Sequence, residues 1–130
     1  MKTFTDLEAW KVGMKLVKEV YALTKNLPSD ERFGLISQMR RAAVSILANL
    51  AEGFGRSGSA DKAHKYTISR GECSEVEALL LVSVELEYLS TEDVEKTLTL
   101  VHHEGRLLSG LIRAYVPRPS PRPDPSPINV

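Results

Sequence analysis

Three glycines, Gly53, Gly55 and Gly58, have the GxGxxG spacing that binds the pyrophosphate of a dinucleotide in other proteins. That pattern works where it joins a strand to a helix, because the glycines let the backbone approach the pyrophosphate at the helix N-terminus. No strand-like run precedes Gly53 in this chain. We therefore predict a helix end followed by an interhelical loop, and no cofactor. A phosphate or sulfate held by Arg56 and the nearby serines is the remaining alternative.

Metal and nucleophile chemistry have little support in the residue spacing. A di-iron site in a helical bundle needs paired Glu-x-x-His motifs, and the nearest approximations here are Asp61-x-x-His64 and Glu72-x-x-Glu75. His102 and His103 are adjacent, so on a helix they point about 100° apart. Cys73, the single cysteine, falls at an apolar helical position, which is typical of a small buried side chain. We predict no metal, no catalytic residue, no small-molecule substrate and no enzymatic activity.

Charge is balanced overall but segregated along the chain. Seventeen basic and seventeen acidic side chains give a formal net charge of zero, which excludes nucleic-acid binding by bulk charge. Residues 40–70 are locally basic, whereas residues 71–104 are strongly acidic. Pairing of the cations with acidic side chains on another helix or subunit competes with a role in binding an anionic partner. The predicted anion or nucleic-acid contacts are Arg40, Arg41, Arg56, Lys62, Lys65, Lys11, Lys15 and Lys18.

The elements that must position these side chains are helices. Three breaks rich in glycine, proline or small polar residues divide the chain into four segments with helical spacing of apolar residues. Four such segments joined by short loops predict an all-α, antiparallel up-down-up-down four-helix bundle over residues 1–115. Residues 116–130 hold six prolines, one at every second position. They predict a proline-rich extended tail that is either solvated or docked in an aromatic-lined groove.

Capping residues predict the helix boundaries. A capping-box pattern from Thr5 to Glu8 marks the start of the first helix. Ser29 is the expected N-cap of the second helix, which ends at the glycines after Glu52. The third helix is predicted over residues 59–89, and the fourth begins near Ser90.

The first helix carries more apolar surface than one bundle contact needs. One stripe, Leu7, Trp10, Met14, Val17 and Tyr21, is predicted to face the core. A second stripe on the adjoining face then needs cover, either from the tail or from another copy of the chain, and we favour the second copy. Two polar residues near the end of the second helix could bond a loop or pair across a subunit contact. The predicted oligomer interface is Val12, Leu16, Val20, Leu23, Asn49 and Glu52.

Five short blocks of the sequence resemble one known family in order and spacing. The blocks are Phe4-Thr-Asp-Leu-Glu-Ala-Trp-Lys, Val20-Tyr-Ala-Leu-Thr, Phe33-Gly-Leu, Gln38-x-Arg-Arg-Ala-Ala-x-Ser-Ile46 and Asn49-x-Ala-Glu-Gly53. Over about residues 4–115 the chain resembles the four-helix-bundle proteins called 23S rRNA-intervening-sequence proteins. The resemblance implies a bacterial, cytosolic bundle that forms a barrel-shaped homopentamer. It also implies an association with nucleic acid, because related accessory proteins of diversity-generating retroelements work with a reverse transcriptase.

Two functional hypotheses follow. In the first, a non-enzymatic homo-oligomer, expected to be a pentamer, presents a basic surface to RNA or to an RNA-handling protein. In the second, the assembly is a protein-only scaffold or adaptor that uses its subunit surfaces and the PxP tail. The longest apolar run, Ala78 to Val82, is far too short to cross a bilayer, and the N-terminus lacks a secretory apolar segment. We therefore expect a cytoplasmic protein without a membrane partner.

Overall fold

The computed structural model describes residues 2–117, and these residues form four α-helices. The helices are α1 (Glu8–Thr24), α2 (Leu35–Gly55), α3 (Ser59–Glu85) and α4 (Thr91–Tyr115). Two one-turn helices, Phe4–Asp6 and Ser29–Glu31, precede α1 and α2. No strand occurs within residues 2–117, so the predicted all-α class is confirmed. The predicted extended tail falls almost entirely outside the described residues.

The four helices pack as an antiparallel bundle in chain order. Each helix contacts its two neighbours around the bundle, so α1 lies diagonally across from α3 and α2 lies across from α4. The contacts between α3 and α4 show the antiparallel arrangement. Arg70 reaches Ser109, whereas Glu77, two turns later on α3, reaches His102, which is two turns earlier on α4. The face formed by α1 and α2 is therefore opposite the face formed by α3 and α4.

The core fills the space between the helices with large apolar side chains. Those most completely buried include Tyr66, Leu16, Met39, Ile46, Leu50, Leu80 and Leu108. Within this core the Ser69 hydroxyl donates to the Ile46 carbonyl at 2.7 Å. Close approach of α2 and α3 depends on Gly53, where a Cβ would lie 2.7 Å from the Tyr66 ring. The first glycine of the GxGxxG pattern is thus required for helix packing.

The predicted starts of the first two helices were wrong. The capping box before α1 joins Thr3 and Asp6 and starts the one-turn helix, so α1 itself begins after Leu7 without a side-chain cap. Ser29 starts the second one-turn helix rather than α2. The Glu31 carboxylate then accepts a hydrogen bond from the Leu35 amide at 3.1 Å, and α2 begins there.

The end of α3 also differs from the prediction, whereas the start of α4 agrees with it. α3 ends at Glu85 because Glu87 adopts a left-handed φ of 63°, and the amides of Tyr88 and Leu89 bond back to the Ser83 carbonyl. Ser90 caps α4 in a capping box with Asp93.

The two apolar stripes of α1 have exchanged roles relative to the prediction. Val12, Leu16 and Val20, predicted to face another copy, are buried in the core of the bundle itself. Gly13 explains the exchange: it lets α1 sit so close to the bundle that a Cβ would lie 2.6 Å from Leu47.

The stripe predicted as the core seam lies at the edge of the bundle, apart from Leu7, which is buried in the core as predicted. Trp10, Met14 and Val17 are only partly buried, and Tyr21 is 39% exposed. α1 therefore does have excess apolar surface, but that surface is made by this stripe, beside α2.

Candidate anion-binding and self-association surfaces

Two of the predicted cationic contacts, Arg41 and Lys65, are held in ion pairs within the chain. The Arg41 guanidinium on α2 bonds the carboxylates of Glu72 and Glu75 on α3. The hydrogen bond that Arg41 donates to Glu75 raises the pKa of Arg41, and the same contact lowers the pKa of Glu75. Lys65 lies 2.8 Å from Glu52, and its hydrogen bond lowers the pKa of that carboxylate. These pairs fasten α2 to α3.

Two further predicted contacts, Arg40 and Lys62, are held by neutral groups of the chain. The Arg40 Nε donates to the Thr24 hydroxyl at 2.9 Å, and the guanidinium lies 4.6 Å from the centre of the Tyr21 ring. The Lys62 ammonium donates to the Phe54 carbonyl at 2.6 Å, at the C-terminal end of α2. A cation there satisfies a carbonyl that has no partner within the helix.

The other predicted cations are exposed. Lys11, Lys15 and Lys18 form a stripe on the side of α1 that faces away from the core, and Arg56 lies in the loop between α2 and α3. Within residues 2–117, none of these four has a carboxylate within ion-pair distance. Half of the predicted anion contacts are therefore free to meet a partner.

The two polar residues predicted at an oligomer interface also have partners within their own chain. The Asn49 side-chain amide donates to the Ser45 carbonyl at 2.9 Å, one turn earlier on α2. Glu52 bonds Lys65 of its own chain, as described above. Leu23, the remaining predicted interface residue, is partly buried against the core.

A groove between α3 and α4, of about 700 Å³, gathers cationic side chains that the sequence analysis did not group together. We call it the α3–α4 groove. Two contacts cross it: Arg70 donates to the Ser109 hydroxyl at 3.4 Å, and His102 lies 3.0 Å from Glu77. The groove is lined by Arg70, Cys73, Ser74, Glu77, Val101, His102, Gly105, Arg106, Ser109 and Arg113.

Sequence reasoning missed this site because its residues lie far apart in the chain. Arg70 closes the basic stretch, whereas Arg106 and Arg113 follow the acidic one, and only antiparallel packing of α3 on α4 brings them together. The spacing of Arg106 and Arg113, seven residues apart on one predicted helix face, was the signal that could have indicated it.

The opposite side of the bundle carries a groove without polar lining, of about 320 Å³. We call it the α1–α2 groove. Its rim includes the Phe4 and Trp10 rings, packed edge to face at 4.9 Å, and Val44, which is 45% exposed. The full lining is Phe4, Trp10, Met14, Val17, Val44, Leu47, Ala48 and Ala51. Such a surface is costly to leave in water.

Two buried titratable groups lie near these surfaces. The Glu104 carboxyl is completely buried beside Gly13, neither of its oxygens has a hydrogen-bond partner among the described residues, and burial raises its pKa to about 8. Burial likewise raises the pKa of the Cys73 thiol to about 12, and the thiol donates to the Val101 carbonyl. A thiol in this state is a poor nucleophile at neutral pH.

Neither a metal-binding cluster nor a membrane-spanning helix occurs within residues 2–117. No cluster of three or more His, Cys, Asp or Glu side chains that could hold a metal ion occurs there. Nor does any helix in this range combine the length and the apolar character that crossing a membrane requires.

Comparison with known proteins identifies the family. The family model described as 23S rRNA-intervening sequence protein matches residues 5–110. A crystal structure from Bacteroides thetaiotaomicron, described as a protein with unknown function from the S23 ribosomal protein family, has a similar fold. It is 24% identical, the match covers 81% of this chain and 95% of that chain, and the TM-score is 0.74. No curated protein matches. Because the family model spans most of the sequence, the chain belongs to the 23S rRNA-intervening sequence protein family.

Proposed function

We propose that the chain is a non-enzymatic subunit of a cytoplasmic homo-oligomer, a pentamer, that presents a basic surface to RNA or to an RNA-handling protein. The observation that carries the proposal is the α1–α2 groove, where partly exposed Trp10 and Met14 meet exposed Val44 and the described lining exposes no polar atom. An apolar patch of this kind marks a protein-protein contact. The pentamer is the state that the family resemblance implies.

Two observations support the RNA half of the proposal: exposed cations without a carboxylate partner, and the descriptions of the matching family and structure. Lys11, Lys15, Lys18 and Arg56 are exposed without a carboxylate partner among the described residues. The family description refers to 23S rRNA, and the structural neighbour is placed in a ribosomal protein family. With a net charge of zero, the chain would bind RNA through such a local patch.

A protein-only scaffold is the second candidate function. The pairing of Arg41 with Glu72 and Glu75, and of Lys65 with Glu52, favours it, because these cations stabilise the bundle instead of facing a partner. On this alternative the PxP tail serves as a docking strand for another protein.

One experiment separates the two functions. Protein purified without nuclease treatment is run on size exclusion with light scattering, and the nucleic-acid to protein absorbance ratio is read across the peak. We expect a pentamer-sized peak that carries nucleic acid at low salt and loses it at high salt, because counterions compete for phosphate contacts. A pentamer free of nucleic acid at both salt concentrations would support the scaffold, and a monomer would contradict both.

A further inference from the structure

We infer that the α3–α4 groove is the RNA-binding site, and that Arg70, Arg106 and Arg113 hold the phosphodiester backbone of a single strand there. This inference rests on the RNA half of the proposed function and gives it a location. It places the main contact away from the predicted cations Arg41 and Lys65, which are engaged with carboxylates between α2 and α3.

The charge lining the groove favours an anion. Three guanidinium groups line it against one carboxylate, Glu77, and that carboxylate is already bonded to His102. None of the three arginines has an ion-pair partner in the described part of the chain. Guanidinium groups match phosphate oxygens with two parallel donors, and the Ser74 and Ser109 hydroxyls add further donors.

The length of the groove favours a chain of phosphates over a single compact anion. From His102 to Arg113 the α4 wall spans about 16 Å, and Arg106 and Arg113 are separated by about 10 Å along the helix axis. One inorganic phosphate would have to draw both side chains together along the helix to bond guanidinium groups at both positions. A strand of nucleic acid can bond both without this, because it repeats its charge along its length.

Gly105 keeps the groove open. A Cβ at this position would meet nothing within 4 Å, so the glycine is not required by packing inside the bundle. Because Gly105 has no side chain, nothing projects from this position into the groove between His102 and Ser109. A large apolar residue at position 105 would therefore fill the groove without changing its charge.

The lining also predicts the kind of recognition. Among the described residues, the groove walls hold no Phe, Tyr or Trp, so the large aromatic platforms that hold bases in other single-strand sites are missing and His102 supplies the one ring. Backbone contacts position a nucleic acid but carry no sequence information. Binding in the groove should therefore be insensitive to sequence and strongly dependent on salt.

The test uses the full chain and a fluorescent single-stranded RNA of about eight nucleotides, short enough to report on single sites. Arg106→Glu combined with Arg113→Glu should weaken binding by about tenfold or more and make the slope of log affinity against log salt shallower by about 1.4. Gly105→Leu, which keeps every charge, should also weaken binding because the side chain occupies the groove.

Matched variants control for charge and for the glycine substitution. Lys25→Glu with Arg32→Glu makes the same change in net charge at the α1–α2 connection, and Gly71→Leu fills open space on α3 outside the groove. Neither control variant should change RNA affinity by more than about twofold. The charge control includes in that limit a small long-range effect of its altered net charge. Circular dichroism and oligomer mass confirm that each variant is folded.

Each other outcome overturns the inference in a recognisable way. If Lys15→Glu with Lys18→Glu weakens RNA binding and the groove variants do not, the RNA lies on α1, and the proposed function survives without the groove. If the wild-type chain binds no RNA, both fail. If a polyglutamate peptide binds the groove in place of RNA, the partner is an acidic protein segment and the proposal is wrong.

Discussion

The two grooves lie on opposite faces of one small bundle and have opposite chemistry. Both lie between two antiparallel helices, yet the described lining of the α1–α2 groove exposes no polar atom and the α3–α4 groove is lined by three arginines. An apolar groove gains free energy when water is removed, whereas exposed guanidinium groups stay hydrated at little cost until an anion arrives. The contrast indicates one face for permanent contact between subunits and one for reversible contact with a polyanion.

A second contrast lies among the cations themselves. Arg41 and Lys65 are paired with carboxylates across α2 and α3, whereas Arg106 and Arg113 have no carboxylate partner among the described residues. The first group contributes to the stability of the bundle, and the second is available for binding. Basic residues of one sequence thus divide into two functions according to what packing places beside them.

The largest effect is expected at Glu104, whose carboxyl is buried in the core between the two faces, and it is an effect of pH on the free energy of unfolding. Glu104 is neutral in the fold because burial raises its pKa from 4.5 to about 8. Because the pKa is raised in the folded state, the folded chain binds this proton more tightly than the unfolded chain. The resulting contribution to stability is complete below pH 4.5 and is lost as pH rises through about 8. Within this window the free energy of unfolding should fall by about 1.4 kcal/mol per pH unit relative to Glu104→Gln.

Denaturant unfolding at a series of pH values measures this slope. Glu95→Gln, an exposed change on the same helix, is the matched control and should leave the slope as in wild type. Cys73, the other buried titratable group near Glu104, stays protonated throughout because its pKa is raised to about 12. Parallel curves for wild type and Glu104→Gln would show that Glu104 is ionised or solvated in the folded chain.

A smaller effect sharpens the contrast between paired and free cations. Arg41→Ala should lower the free energy of unfolding by up to about 1 kcal/mol, because it leaves Glu72 and Glu75 facing each other without a cation. The loss should shrink as salt screens the carboxylates. Arg106→Ala should leave stability unchanged and weaken only RNA binding. Equal stability of the two variants would remove the distinction between them.

The sequence predicted the number, order and approximate limits of the helices because apolar spacing and breaking residues act locally. It did not predict which stripe of α1 is buried. That choice depends on Gly13, whose missing side chain lets α1 approach Leu47 on a helix that is distant in sequence. Nor could local patterns show that Ser29 and Glu31 form a separate turn before α2.

The candidate sites were harder to predict than the fold because they are made by pairs of helices. The excess apolar surface of α1 was apparent in its sequence, yet its location required Val44 and Ala48 of α2. Local charge counts indicated a basic stretch over residues 40–70, but they could not show that Arg41 meets Glu72 and Glu75. The α3–α4 groove needed the register of two antiparallel helices, which only the structure supplies.

The central claim, that the two faces have separate functions, is tested most directly by measuring oligomer mass and short-RNA affinity on the same preparations of two variants. Val44→Asp should reduce the mass to that of one chain and leave the affinity of each chain unchanged. Arg106→Glu with Arg113→Glu should keep the oligomer and lose the RNA. Val82→Asp, at a valine of similar exposure on α3 (42% against 45% for Val44), should change neither property. If either groove variant changed both mass and affinity, the faces would not be independent and the claim would be contradicted.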